Sequence, residues 1–175
     1  MSKLIKFYIL LIGFIIFIAV YGHYNFEINS TESLPLGIYH ISSDETIRRN
    51  DIVVFCPPYN AFLEFAEKQG YFGKFKLVCD NKTPKYMKKA VGLPGDDIFI
   101  TASGVYINKR KIKNSEPFEK ILSDKIFQNY FKHIKLQDKE YFLMSDYNKL
   151  SFDSRYFGIV KKEKILYKVF PLFTY

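Results

Sequence analysis

Three stretches of this chain carry residue types that can do covalent chemistry. Ser33 lies in Asn29-Ser30-Thr31-Glu32-Ser33-Leu34-Pro35-Leu36-Gly37-Ile38-Tyr39, where Pro35 and Gly37 force a turn that presents the serine at the edge of a core. Lys88 and Lys89 open Lys88-Lys89-Ala90-Val91-Gly92-Leu93-Pro94-Gly95-Asp96. On a strand, neighbours face opposite sides, so one of the two ammonium groups can be buried while the other is solvated. Ser151, Asp153 and Arg155, within Ser145–Gly158, are spaced for a polar network. A serine hydroxyl is a poor nucleophile until a base takes its proton. Free lysine titrates at about 10.4, and burial lowers that value by several units. The neutral amine can then accept the serine proton and pass it to a leaving amine. A hydroxyl such as Ser151 can orient the amine without adding charge. This chemistry requires neither a metal nor an organic cofactor. Taken singly, each stretch also fits an ordinary turn, a pair of edge-strand lysines or a hydrophilic loop.

The elements that must position these residues are mostly short strands bounded by turn residues. Ile38–Ile41, Asp51–Phe55, Lys85–Val91, Asp97–Thr101, Gly104–Asn108, Glu140–Met144 and Ile165–Phe170 read as strands. Pro94-Gly95-Asp96 marks a turn between two of them. Two segments, Asn60 to Gly70 and Glu116 to Ile134, carry apolar residues at helical spacing and read as excursions from one β core. The expected fold is therefore mainly β.

At the N-terminus, Lys3 and Lys6 flank an apolar run that reaches Tyr21, 18 residues from Leu4 with one charge near its start. Such a run just crosses a bilayer as a helix, with Lys6 snorkelling to the interface. The positive flank directs the N-terminus to the cytoplasm. A cleaved signal peptide is the rival, but Val20-Tyr21-Gly22-His23-Tyr24 offers no small-x-small site. The expected division is an anchor over 1–24 and a domain outside the inner membrane, in the periplasm, over 25–175. A net charge of +8 fits nucleic acid, an anionic membrane surface or solubility alone; its spread without a dense stripe argues against nucleic acid, and membrane lipid is the expected partner of the apolar run. His23, His40 and His133 are far apart, and no Cys/His cluster has zinc-ligand spacing.

Together and in this order, the segments resemble the bacterial type I signal peptidases. The Ser33–Tyr39 form, Ser-x-Pro-x-Gly-x-Tyr, is similar to the TraF-type peptidases of conjugative transfer systems. The Asp-Ile-Val-Val-Phe strand, the Lys88–Asp96 segment and the Ser-x-Asp-Ser-Arg-Tyr-Phe-Gly segment resemble later signal peptidase boxes. The resemblance implies a coiled antiparallel β core and a membrane-bound serine endopeptidase acting on precursor proteins. It also implies roles. Ser33 is the nucleophile, and Lys88, four residues before Gly92, is the base. Ser151 orients the lysine, and Thr31 assists the Ser33 N–H in an oxyanion hole. Asp153 and Arg155 form an ion pair behind the site. Met144-Ser145-Asp146 replaces the Gly-Asp-Asn of general signal peptidases, which favours the TraF-type branch.

That branch implies a pilin or another transfer-system component as substrate. Removal of signal peptides from secreted preproteins is the alternative. A self-cleaving regulator related to the SOS repressors and a catalytically inert scaffold of a secretion apparatus are the more distant readings. Cys56 and Cys79 flank the Asn60–Gly70 excursion, and in an oxidising compartment they are expected to bridge and pin it. The substrate is expected as an added strand between the segments leading to Ser33 and Lys88, with small residues before the cut. Ile52, Val54 and Tyr86 are candidates for shaping its pockets.

Overall fold

The structure is a computed structural model that describes residues 2–68, 79, 83–118 and 132–175. An apolar helix, α1 (Lys3–Asn25), buries none of its residues against the rest of the chain. With every face apolar and exposed, it is long enough to cross a bilayer. Its Ser2 side chain caps the first turn by accepting the Ile5 N–H.

The remaining elements are β1 (Phe26–Asn29), β2 (Gly37–Ile41), β3 (Ile52–Phe55), α2 (Ala61–Lys68), β4 (Tyr86–Gly92), β5 (Asp97–Thr101), β6 (Gly104–Ile107) and β7 (Arg110–Lys111). They continue with β8 (Lys132–Lys135), β9 (Glu140–Met144), α3 (Ser154–Phe157), β10 (Val160–Lys161) and β11 (Ile165–Thr174). All pairings among the described residues are antiparallel. A seven-stranded sheet runs β1-β2-β11-β3-β4-β9-β10, and a four-stranded sheet runs β7-β6-β5-β8. The fold is mainly β, with a curled antiparallel core, as the sequence predicts.

Strand β11 is the spine of the larger sheet. Its first half pairs with β3 and its second half with β2, with a register irregularity in each pairing. Such irregularities bend and twist a strand, which lets the sheet curl. Between the sheets, Ile98, Ile100, Val105 and Ile107 pack on Val91, Phe142, Met144 and Tyr156.

The helical expectation over Asn60–Gly70 corresponds to α2, whose N-terminus is capped by the Asn60 side chain through the Phe62 and Leu63 N–H groups. Gly70 lies outside the described residues. The Glu116–Ile134 expectation is corrected at its end. Residues 119–131 lie outside the described set, but Lys132, His133 and Ile134 belong to strand β8, paired with β5. Pairing with β5 decides it: opposite Ile98, Ile134 packs toward the core, while its neighbours His133 and Lys135 turn to the exposed face. Cys56 and Cys79 form a disulfide that joins the end of β3 to the segment ahead of β4, with a Cα–Cα distance of 5.9 Å.

Candidate active site

The loop between β1 and β2 carries Ser33, and its shape follows from three side chains and one glycine. Asn29, 5% exposed, lies beneath the loop. Its amide donates to the carbonyls of Thr31, Leu34 and Pro35 at 3.0 Å each, and its Oδ1 accepts from the Thr31 N–H and hydroxyl. Tyr39 closes the far end by donating its hydroxyl to the Pro35 carbonyl at 2.7 Å. Gly37 has φ +139°, and a Cβ there would stand 2.1 Å from the Phe173 carbonyl oxygen, so only glycine lets β11 pass this close. The Gly and Tyr positions of Ser-x-Pro-x-Gly-x-Tyr thus have a mechanical reason. Leu34, fully buried, anchors the loop in the core.

Lys88 lies opposite Val53 in the β3–β4 pairing and is 4% exposed. Partners across an antiparallel pair share a face. Lys88 therefore shares its face with Val53, and Nζ stands 5.4 Å from the centre of the Tyr86 ring. Burial pulls its pKa down to about 8; the Asp153 carboxylate opposes the shift and the Arg155 guanidinium adds to it. Lys89 turns to the other face and pairs with Asp146 at 2.7 Å. The turn after the strand is held by Asp96, which accepts from the Leu93 N–H, the Arg49 guanidinium and the Asn108 amide. This explains the Gly-Leu-Pro-Gly-Asp segment as the device that ends the Lys88 strand, with Gly95 at φ +86°.

The third segment, after β9, meets the first. The Ser151 hydroxyl donates to Ser33 Oγ at 3.2 Å, and the Ser145 hydroxyl donates to the Ser33 carbonyl. Asp153 and Arg155 are a fully buried pair, Nε to Oδ1 at 2.8 Å and Nη2 to Oδ2 at 2.9 Å. Arg155 also donates to the carbonyls of Ser151, Lys149, Asn114 and Glu116. Asp153 caps α3, a single turn, through the Arg155 N–H. A groove of about 510 Å³ opens beside the loop, lined in part by Glu32, Leu34, Leu36, Tyr147 and Lys149.

The Ser33, Ser151, Asp153 and Arg155 segments are therefore brought together, and Lys88 is buried within electrostatic reach of the ion pair. Thr31 is in the same loop, but its hydroxyl proton is committed to Asn29 Oδ1 at 2.9 Å. The pocket expectation changes. Ile52 and Val54 lie on the face opposite Lys88, and Val54 is sealed against Tyr39 and Val169, while Tyr86 lies on the Lys88 face. Two residues that hold the Ser33 loop by hydrogen bonds, Asn29 and Ser145, are not singled out by the sequence reading. Asn29 had a signal, an Asx residue just ahead of a Pro/Gly turn; Ser145 had none, since its contact spans 112 residues. None of the three histidines is hydrogen-bonded to Ser33: His40 stacks on Phe170 at 4.9 Å, His133 bonds Asp97, and His23 ends α1.

The chain thus combines a curled antiparallel β domain with a loop-borne serine, a buried lysine and an apolar N-terminal helix. The family model described as signal peptidase, peptidase S26, matches residues 1–173, and the chain belongs to that family. It is 31% identical over 151 residues to the plasmid transfer protein TraF of Escherichia coli, covering 85% of this chain and 83% of that one. It is 27% identical to the conjugal transfer protein TraF of Agrobacterium fabrum, covering 86% and 83%. It is 31% identical to signal peptidase I S of Bacillus subtilis, covering 54% of this chain and 57% of that one. The family assignment makes the chain a signal-peptidase-like serine peptidase whose substrates are precursor proteins.

Proposed function

We propose that this protein is a membrane-bound endopeptidase in which Ser33 attacks the scissile carbonyl and Lys88 is the general base. The substrate class is an exported precursor, a pilin or another component of conjugative transfer or type IV secretion. The observation that carries the reading is the burial of Lys88, 4% exposed, which pulls its pKa down, in a chain whose Ser33 hydroxyl accepts from Ser151. A neutral amine takes the Ser33 proton as the tetrahedral intermediate forms, then delivers it to the leaving amine. Ser151 orients that amine, and the Ser33 N–H carries the oxyanion. Thr31 assists once its hydroxyl turns from Asn29. Asp153 and Arg155 hold the Ser151 backbone.

The near-full-length match to the two TraF proteins, against about half the chain for signal peptidase I S, supports the transfer-system substrate. Removal of signal peptides from secreted preproteins is the second reading, favoured by membership of the signal peptidase family. In this reading α1 anchors residues 1–24 in the inner membrane with the N-terminus cytoplasmic, and 25–175 form the periplasmic domain; the helix itself runs to Asn25. Exposed Ile28, Ile38 and Phe173 are register neighbours on the β1-β2-β11 end of the sheet beside α1, which supports a membrane-facing edge.

The test incubates the full-length protein in detergent with a pilin precursor and, separately, with a secretory preprotein. Cleavage of the pilin precursor that vanishes in Ser33→Ala is expected. Cleavage of the preprotein alone would shift the substrate to the second reading, and undiminished cleavage by Ser33→Ala would remove Ser33 from the mechanism.

A further inference from the structure

We infer that Ser145 is a positioning residue for the nucleophile, fixing the Ser33 carbonyl so that the Ser33 side chain stays in register with Ser151. The inference rests on Ser33 being the nucleophile. Ser145 is fully buried at the end of β9. Its proton goes to the Ser33 carbonyl, and its oxygen accepts from the N–H groups of Tyr147 and Asn148 at 3.1 and 3.0 Å. A hydroxyl with one donor and two acceptor positions is thereby saturated. It has no proton left for a substrate, which leaves it a mechanical role.

That role has a defined geometry. Asn29 holds the carbonyls of Thr31, Leu34 and Pro35 but not that of Ser33, which falls to Ser145. The Ser145 N–H donates to Asp153 Oδ2 at 3.1 Å, Asp153 is clamped by Arg155, and Arg155 Nη2 holds the Ser151 carbonyl at 2.8 Å. Ser151 then reaches back to Ser33 Oγ. The bonds close a ring from the Ser33 carbonyl to the Ser33 hydroxyl. Without the Ser145 link, the Ser33 peptide plane is free to rotate and Oγ drifts from its partner. Misplacement of a reacting group by about 1 Å costs on the order of 100-fold in rate.

The test uses the full-length protein in detergent on a precursor that the wild type cleaves. Ser145→Ala, Ser145→Thr, Ser145→Cys and Ser33→Ala are compared, with rates expressed per folded molecule from thermal melts. Ser145→Ala is expected to lose about 10- to 100-fold in kcat with KM changed less than about two-fold. Its pH midpoint should stay at the wild-type value, because the base is untouched. Ser145→Thr, which keeps the hydroxyl, should recover most of the loss. If Ser145→Ala does not fold, Ser145→Cys decides, since the near-isosteric thiol is a weaker donor and should still lower kcat alone. A wild-type kcat per folded molecule in Ser145→Ala, or in Ser145→Cys where that variant decides, would overturn the inference. So would a shifted pH midpoint. An inactive Ser33→Ala beside a fully active Ser145→Ala overturns this inference alone; an active Ser33→Ala overturns the reading of Ser33 itself.

Discussion

Ser151 donates its hydroxyl to Ser33 Oγ at 3.2 Å, joining residues 118 apart in sequence. With its proton committed there, its lone pairs remain to receive a proton-bearing amine. Its own backbone is fixed by Arg155, so the hydroxyl is held in place before substrate arrives. Ser151→Ala should therefore lower kcat by about 100- to 1000-fold, the range seen when a single preorganised donor is lost. Steady-state kinetics and a thermal melt check it. An unchanged kcat in a folded variant would remove Ser151 from the site.

Activity should rise with pH through about 8, where the buried Lys88 amine becomes neutral, rather than through the ordinary lysine value of 10.5. Lys88→Ala and Lys88→Arg should both be inactive, since a guanidinium keeps its proton. Lys89→Ala should keep more activity than either but not all of it, because Lys89 braces Asp146, the neighbour of Ser145. Replacing His23, His40 and His133 together should leave the profile in place. The measurement is log kcat/KM against pH for each variant. An active Lys88→Ala beside a folded but dead triple-histidine variant would move the base to a histidine.

The strands around the site were legible because turn residues bracket them: Asp97–Thr101 and Glu140–Met144 match β5 and β9 to the residue. The short β1, β7 and β10 were not, since runs of two to four residues are too short to show a period. The stretch that ends in β8 reads as a helical or irregular insertion because its apolar residues upstream fit a helical spacing, whereas pairing with β5 decides its state. At the site, residue types were readable and contacts were not. Nothing local in Met144-Ser145-Asp146 says that one hydroxyl reaches the Ser33 carbonyl. Ile52 and Val54 were misread as pocket residues because the face of a strand relative to Lys88 is set by register, and register is a long-range property.

Arg155 is where stability and site geometry coincide. It satisfies Asp153 bidentately and four backbone carbonyls with no exposed side-chain surface. Lysine cannot reproduce that planar fork. Arg155→Lys and Arg155→Ala both leave a buried carboxylate poorly compensated, a loss of about 3–5 kcal/mol by analogy with broken buried pairs. Chemical denaturation reads the stability, and the cleavage rate should fall with it. The double variant Asp153→Asn with Arg155→Met should recover part of the stability but not the rate, because the Ser151 carbonyl has still lost its donor. Full stability in Arg155→Ala would show that the pair is not structural.

Lys88 should cost the fold stability at neutral pH, and the sign follows from its titration. Its folded value, about 8, lies below the ordinary 10.5, so between these limits the unfolded chain holds a proton that the folded chain lacks. Stability of the wild type therefore rises with pH across that window, and below about 8 the whole penalty stands. A displacement of this size corresponds to about 3 kcal/mol. Lys88→Met fills a similar volume without a charge. It should be more stable than the wild type at pH 7, and the difference should shrink as pH rises from 8 toward 10.5. It should also be inactive, since it removes the base. Denaturant unfolding of both proteins across pH 6 to 10 checks this. A Lys88→Met protein less stable than the wild type at pH 7 would mean that the ammonium is compensated by Asp153 in the folded state. The depressed pKa, and the mechanism built on it, would then fall together.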